Sequence, residues 1–280
     1  MKSVRRVGTT ALALVFFAAL WELYKFVGGA VGLDWPIATD DLTMPHSWDI
    51  VAVLFEPVQR GSDQSLLLFL LESAFFTFRE AALGFALGAA IGLTLAIIML
   101  RFKFLDDGLV PWINVSQTIP LIALAPIVVT WARGISFVSD TQAVALIATY
   151  LTFFPVAVNG LAGLKSPDEN ALELMRSYGS PWWSTLLKLR FPAARPFLFP
   201  AFKLAATLSV VGAIVGEISS GVSGGLGRVI LDFAGRYSTG PERVYAAVLA
   251  AAALGLFVFG LTLLVERYAL RGQRIEVDRG

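Results

Sequence analysis

Residues 81–100 read AALGFALGAAIGLTLAIIML, twenty residues without a charge, closed by Arg101 and Lys103. At about 1.5 Å per residue a helix of that length covers roughly 30 Å, the thickness of a bilayer's hydrocarbon core. The apolar character begins earlier, at Ser65, but Glu72, Arg79 and Glu80 interrupt it, so the crossing is expected in the second half. Composition extends this to the whole chain of 280 residues. Hydrophobic residues make up 56% and charged ones 15%, against about 25% charged in an ordinary soluble domain. One water-soluble core of this size cannot hide so much apolar surface, and part of it must face lipid. The lack of cysteine excludes disulfides and thiolate metal sites, and a net charge of +1 gives no sign of a nucleic-acid partner. The fold class is all-α and integral to a membrane.

The same criterion places about six spans, at 9–31, the second half of 65–100, 119–131, 141–164, 197–218 and 244–265. Lys2, Arg5 and Arg6 precede the first as they would a signal peptide. That run is long, however, carries Glu22 and Lys25 and lacks a clear A-x-A site, so it reads as a span. A polar stretch, 34–64, follows with Trp35-Pro36, Met44-Pro45 and six acidic residues; Ser47 is expected to cap a short amphipathic helix through Phe55. Residues 105–117 read as interfacial, with Trp112 at the headgroup level. The third span is short and broken by Pro120 and Pro126. With both termini cytoplasmic, fourteen Lys and Arg fall in inside loops and tails, against Arg60, Arg133, Arg228 and Arg236 outside. The opposite orientation would invert that bias.

One connection is too long for a simple turn. Residues 164–195 read as two helices joined at Gly179. Ser166-Pro167-Asp168-Glu169 has the form of a capping box with proline at the first helical position. That helix should stop at Gly179, a residue suited to a left-handed cap. Ser180-Pro181 opens the second, from Trp182 to about Leu189, which Pro192 is expected to end. Exposed aromatics on such an elbow suit either a docking surface for a protein or a pair of helices lying on the headgroups.

The run Glu173-Leu-Met-Arg-Ser-Tyr-Gly179, followed by Lys188-Leu-Arg-Phe-Pro192-Ala-Ala-Arg-Pro196, resembles the EAA loop of ABC-importer permeases. Trp21-Glu22, Gln117-Thr-Ile-Pro120 with Ala-Pro126, Glu217 and Gly224-Gly-Leu-Gly227 fall where the nitrate/sulfonate/taurine branch of the binding-protein-dependent permeases has similar residues. The chain departs from that pattern at Leu174-Met175, where the family has Ala-Ala, and at Trp131-Ala-Arg-Gly134, where a Trp-Phe-Gly-like run is common. The resemblance implies a type I ABC-importer permease fold. Residues 1–64 would hold an N-terminal span and external loop, 65–270 the permease domain with its cytoplasmic coupling elbow, and 271–280 a cytoplasmic tail.

It also implies partners: two ATPase subunits, a second permease of the same or a different chain, and an external substrate-binding protein, in a bacterial or archaeal cell membrane. No G-x-x-x-x-G-K-[ST] occurs, so ATP belongs to the ATPase and no cofactor is expected in this chain. Glu173, Arg176, Tyr178, Gly179, Trp182 and Trp183 would form the ATPase-coupling site. The resembled branch handles small anions such as nitrate, sulfonates and taurine, and thiamine-pyrimidine precursors and related heterocycles.

Ser116, Gln117 and Thr118, just before Pro120, form the best polar cluster for lining a pathway, because proline leaves nearby backbone groups free. Glu217 is placed near the outer end of the fifth span, to close a gate or cap the next turn. Lys203 lies fourteen residues away, about 21 Å along a helix, too far to pair with it, and is expected to snorkel. Arg79-Glu80 reads as the outer edge of the second span. Gly84, Gly88 and Gly92 repeat at every fourth position, a face for close helix packing. Residues 227–234 suit a short surface helix, and His46 carries no assigned role. A secondary transporter or channel is the alternative, but it leaves the elbow unexplained and wants paired half-repeats. An enzyme would want a nucleophile or metal cluster, and one His with no Cys argues against such a cluster.

Overall fold

The computed structural model describes residues 2–32, 36–59, 61–136 and 138–269. The expected tail 271–280, together with Asp34, Trp35 and Arg60, lies outside the described residues. Helices make up the architecture: α1 (Lys2–Val31), α2 (Ser47–Ala52), α3 (Leu66–Arg101), α4 (Lys103–Ser116), α5 (Leu121–Arg133), α6 (Asp140–Leu164), α7 (Glu169–Ser177), α8 (Trp182–Thr185), α9 (Phe191–Ser220), α10 (Leu226–Ala234) and α11 (Pro241–Ala269). Among the described residues, four helical stretches are long and apolar enough to cross a membrane: Leu66–Arg101, Asp140–Leu164, Trp182–Ser220 and Pro241–Ala269. The α4–α5 pair makes a fifth if taken as one span, and α1 covers the expected first one.

The expected third span corresponds to α5, and α4, covering the stretch read as interfacial, forms a bent pair with it. The axes of α4 and α5 differ by 103°. Pro120 makes the break: it has no N–H to continue the ladder, and its own φ of −59° and ψ of 115° leave the helical region. Pro126 does not break α5, which runs through it. Leu66–Arg101 is likewise one unbroken helix, so Glu72, Arg79 and Glu80 lie within it.

The chain divides into two compact units, Met1–Glu72 with Val229–Ala250, and Ser73–Arg228 with Ala251–Gly280. In the first, α1 holds the segment that follows it. The Trp21 indole donates to the Pro45 carbonyl at 3.0 Å, and Lys25, itself buried, donates to Asp41 at 2.6 Å and to the Met44 carbonyl. Glu22 accepts from the Ser47 N–H at 2.7 Å and its hydroxyl at 2.6 Å, and pairs with His46 at 2.7 Å. Ser47 thus serves Glu22 and does not cap α2, whose first flanking residue is His46. His46 also stacks on Trp48 at 4.2 Å between ring centres.

In the second unit α6 is the central element, gripped by α3 and α9. A methyl on Gly84 would lie 2.8 Å from the Ala145 carbonyl, and one on Gly92 2.9 Å from Val156 Cβ. Across the helix, a methyl on Gly212 would lie 3.0 Å from the Ala148 nitrogen. The glycine stripe read as a packing face is that face, and backbones approach closely because no side chain intervenes. The Thr152 hydroxyl, at 3.1 Å from the Gly84 carbonyl, ties the two backbones further.

Candidate functional site

Three places in the second unit carry the residues singled out from the sequence. The elbow is the first. Asp168, not Ser166, caps α7: its carboxylate accepts the Ala171 N–H at 2.7 Å. Asp168 stands directly before the first helical residue, where a short side chain reaches the free N–H groups of the opening turn. At the other end Gly179 has φ +64°. The Gly179 N–H bonds the Arg176 carbonyl at 2.8 Å and the Ser180 N–H bonds the Met175 carbonyl at 3.0 Å, the paired closure of a glycine-ended helix.

Pro192 does not end the second helix. A π-type turn over Leu186–Arg190 leads straight into α9, and the wider ladder accommodates a residue with no N–H to donate. The second half of the elbow is consequently continuous with a membrane helix. It is also braced. The Arg190 guanidinium donates to the Leu164 carbonyl at 2.7 Å, Lys165 pairs with Asp106, and Leu186 is buried. Trp182 packs on the core, with the Arg101 guanidinium 5.5 Å from its ring centre.

The residues expected to meet an ATPase therefore divide. Trp182 faces inward, whereas Glu173, Arg176 and Gly179 are exposed. Trp183 is 64% exposed and Tyr178 79%, with Leu174 and Leu187 beside them also open. An apolar aromatic surface thus stands on a rigid mount.

The second place is the α4–α5 break. The hydroxyls expected to line a pathway turn back on their own helix: Ser116 donates to the Ile113 carbonyl at 2.7 Å and Thr118 to Val115 at 2.8 Å. Gln117 reaches the Ser116 hydroxyl at 3.3 Å, and Pro120 is exposed. Pro120 leaves the Ser116 carbonyl without its ordinary helical partner, and the Tyr150 hydroxyl of α6 donates to it. Sequence reasoning missed Tyr150. The lone polar aromatic in the core helix facing a proline break was the available signal.

The third is the far end of α9. Glu217 is fully buried and accepts the Gly227 N–H at 2.6 Å, so it holds the opening turn of α10, one of its two expected roles. Gly225 and Gly227 are glycines for that reason. A methyl on Gly225 would collide with the Glu217 carboxyl, and one on Gly227 would lie 3.0 Å from Glu217 Cβ. Glu80 is not at an exposed edge: it too is fully buried, against Glu217. It belongs to the same every-fourth-residue stripe as Gly84, Gly88 and Gly92, which is how its burial was readable. Lys203, expected to snorkel, pairs with Glu266 of α11 at 2.9 Å, near the C-terminal end of that helix. No group of three or more potential metal ligands occurs among the described residues.

Four apolar helices long enough to cross a membrane and one bent pair describe a multi-pass membrane protein. The chain belongs to the binding-protein-dependent transport system inner membrane component family, whose pattern it matches over residues 88–270. It is 35% identical to the formylaminopyrimidine transport permease protein of Halalkalibacterium halodurans, over 71% of this chain and 78% of that one. It is 31% identical to a putative aliphatic sulfonates transport permease protein of Bacillus subtilis, over 69% and 67%. With the nitrate import permease protein of Leptolyngbya laminosa it shares 26% identity over 93% and 86%. The resemblance to ABC-importer permeases of the nitrate and sulfonate branch is thus borne out. These relatives are transport permeases, not enzymes.

Proposed function

We propose that this chain forms the membrane pathway of an ATP-driven importer together with a second permease, and that a separate ATPase subunit grips the elbow at 164–195. The observation that carries this reading is the elbow's construction. Trp183 projects from a segment locked to α6 by Arg190 and continuous with α9, and Tyr178 stands exposed at the end of α7 just before it. Large exposed aromatics on a fixed support are what a protein partner buries most profitably. Because α8 runs through the π-type turn into α9, a push on Trp183 is delivered along α9 to the spans.

Glu173 and Arg176 supply charged contacts to the ATPase, and Gly179 sets the angle at which α7 meets α8. The elbow faces the cytoplasm with both termini, in keeping with the Lys and Arg bias. The turn at Ser116, Gln117, Thr118 and Pro120 lines the pathway, and Glu217 stands at its outer gate. ATP is held by the partner, and an external binding protein delivers the substrate. A small anion or small heterocycle fits the range of the relatives.

Co-purification from the native membrane with mass spectrometry tests the reading. An ATPase subunit accompanies the unaltered chain and is lost in Gly179→Pro while the chain still inserts. A chain that emerges alone under gentle detergent overturns the assignment.

A further inference from the structure

Glu80 and Glu217 are the two fully buried acidic side chains among the described residues. Both are 0% exposed, one on α3 and one on α9, and their carboxyl groups meet. Of the four oxygens, Glu217 Oε2 takes the Gly227 N–H at 2.6 Å, with the Thr77 hydroxyl beside that carboxyl. The other three, both of Glu80 and Oε1 of Glu217, find no donor among the described residues. Two further charges act on Glu80: Arg79 on its own helix, which is exposed, and Asp140 at the start of α6, which pairs with Arg133 at 2.7 Å.

Two carboxylates in contact and out of water cannot both keep their charge. A single proton converts one carboxyl into a donor to the other and satisfies two of the three empty positions at once. The backbone is pressed against the pair, since Gly225 has no room for a side chain there.

We propose that Glu80 and Glu217 form a proton-binding site, holding one proton between them and through it fastening the turn at 221–227 to α3. A second fastening lies alongside, the Leu226 N–H donating to the Thr77 hydroxyl at 2.9 Å. The buried side chains of Val222 and Leu226 also hold the turn. Gly221 and Gly224 take φ of +68° and +117°, and the Val222 N–H reaches only the Ser220 hydroxyl, at 3.2 Å. Removal of the proton sets two negative charges in contact and drives the turn from α3. The site stands on this geometry alone and does not depend on which substrate is carried or which ATPase binds.

Infrared spectroscopy of the full chain, purified from its native membrane with its bound partners, tests the proposal. Spectra are taken at neutral pH, well above the value of about 4 at which free carboxyls titrate. The unaltered protein shows a protonated-carboxyl carbonyl band that disappears in both Glu80→Gln and Glu217→Gln. Hydrogen exchange at 221–227 supplies the second reading. In Glu80→Gln the amide still donates to Glu217 and protection is kept within about twofold, whereas in Glu80→Ala it falls about tenfold. A band missing from the unaltered protein, or present in both glutamine variants, overturns the proposal. Carboxylate bands that shift when sodium is exchanged for lithium also overturn it, by putting a metal cation where the proton was inferred. The glutamine variants decide the matter even where Glu80→Ala fails to insert.

Discussion

The two ends of α9 invert the ordinary rule of burial in opposite senses. At one end, before α9 begins, Trp183, Tyr178, Leu174 and Leu187 are apolar and exposed; at the other, Glu217 with Glu80 is ionisable and fully buried. α9 itself is thirty residues long, about 45 Å at the standard rise, which exceeds a bilayer's hydrocarbon core. Exposed apolar area is open to whatever lies outside the chain, while a buried acid must be satisfied from within it.

That contrast is most severely tested by filling the acid end. Gly225→Val places carbons where the Glu217 carboxyl now sits. Overpacking of this kind is expected to cost about 1–3 kcal/mol, read as a lower thermal unfolding midpoint of the detergent-solubilised chain. An unchanged midpoint would mean that the pair is not closely confined.

The elbow should behave in the reverse way. Trp183→Ala is expected to leave the unfolding midpoint within about 0.5 kcal/mol of the original, yet weaken ATPase binding by about 2 kcal/mol, roughly thirtyfold in affinity. Trp182→Ala serves as its control, since that ring packs inward against Arg101 and the core, and its loss should lower stability instead. Equal effects of the two substitutions on binding would erase the distinction drawn between the neighbours.

The smallest effect is expected in the first unit, where an ion pair is only half hidden. The hydrogen bond from Lys25 and then its charge hold the Asp41 carboxyl below its usual value, against a small opposing effect of burial. A lowered carboxylate favours the folded arrangement above the unfolded value of about 3.9, and that contribution disappears as pH falls through the lower folded value. Hydrogen exchange across 37–48 should therefore quicken under acid, and Asp41→Asn should remove that dependence. A segment whose exchange ignores both would place its anchoring on Glu22 and Trp21 alone.

Much of the fold was legible because hydropathy is a local property. An uncharged run such as 81–100 has to become a helix in lipid whatever its neighbours do, and the stop at Gly179 follows from one residue's freedom at positive φ. The stripe at Gly84, Gly88 and Gly92 was readable as a packing face for the same reason of period. What escaped were choices between equivalent local signals. Ser166 and Asp168 both can cap a helix, and only the path of the chain put Asp168 next to the Ala171 N–H. Pro192 ordinarily ends a helix, and the π-type turn before it removed the conflict.

By itself, then, the sequence determined an all-helical membrane protein, the position of its long helices and the presence of an elbow, because each depends on residues close together in the chain. Only the tertiary structure decided that Tyr150 answers the carbonyl freed by Pro120, that Lys203 meets Glu266 and that Glu80 meets Glu217. Those partners lie tens to more than a hundred residues apart. A charge or a carbonyl short of its ordinary helical partner in a membrane interior demands a partner, but the demand does not say which helix will supply it, and the packing of α3, α6, α9 and α11 gives that answer.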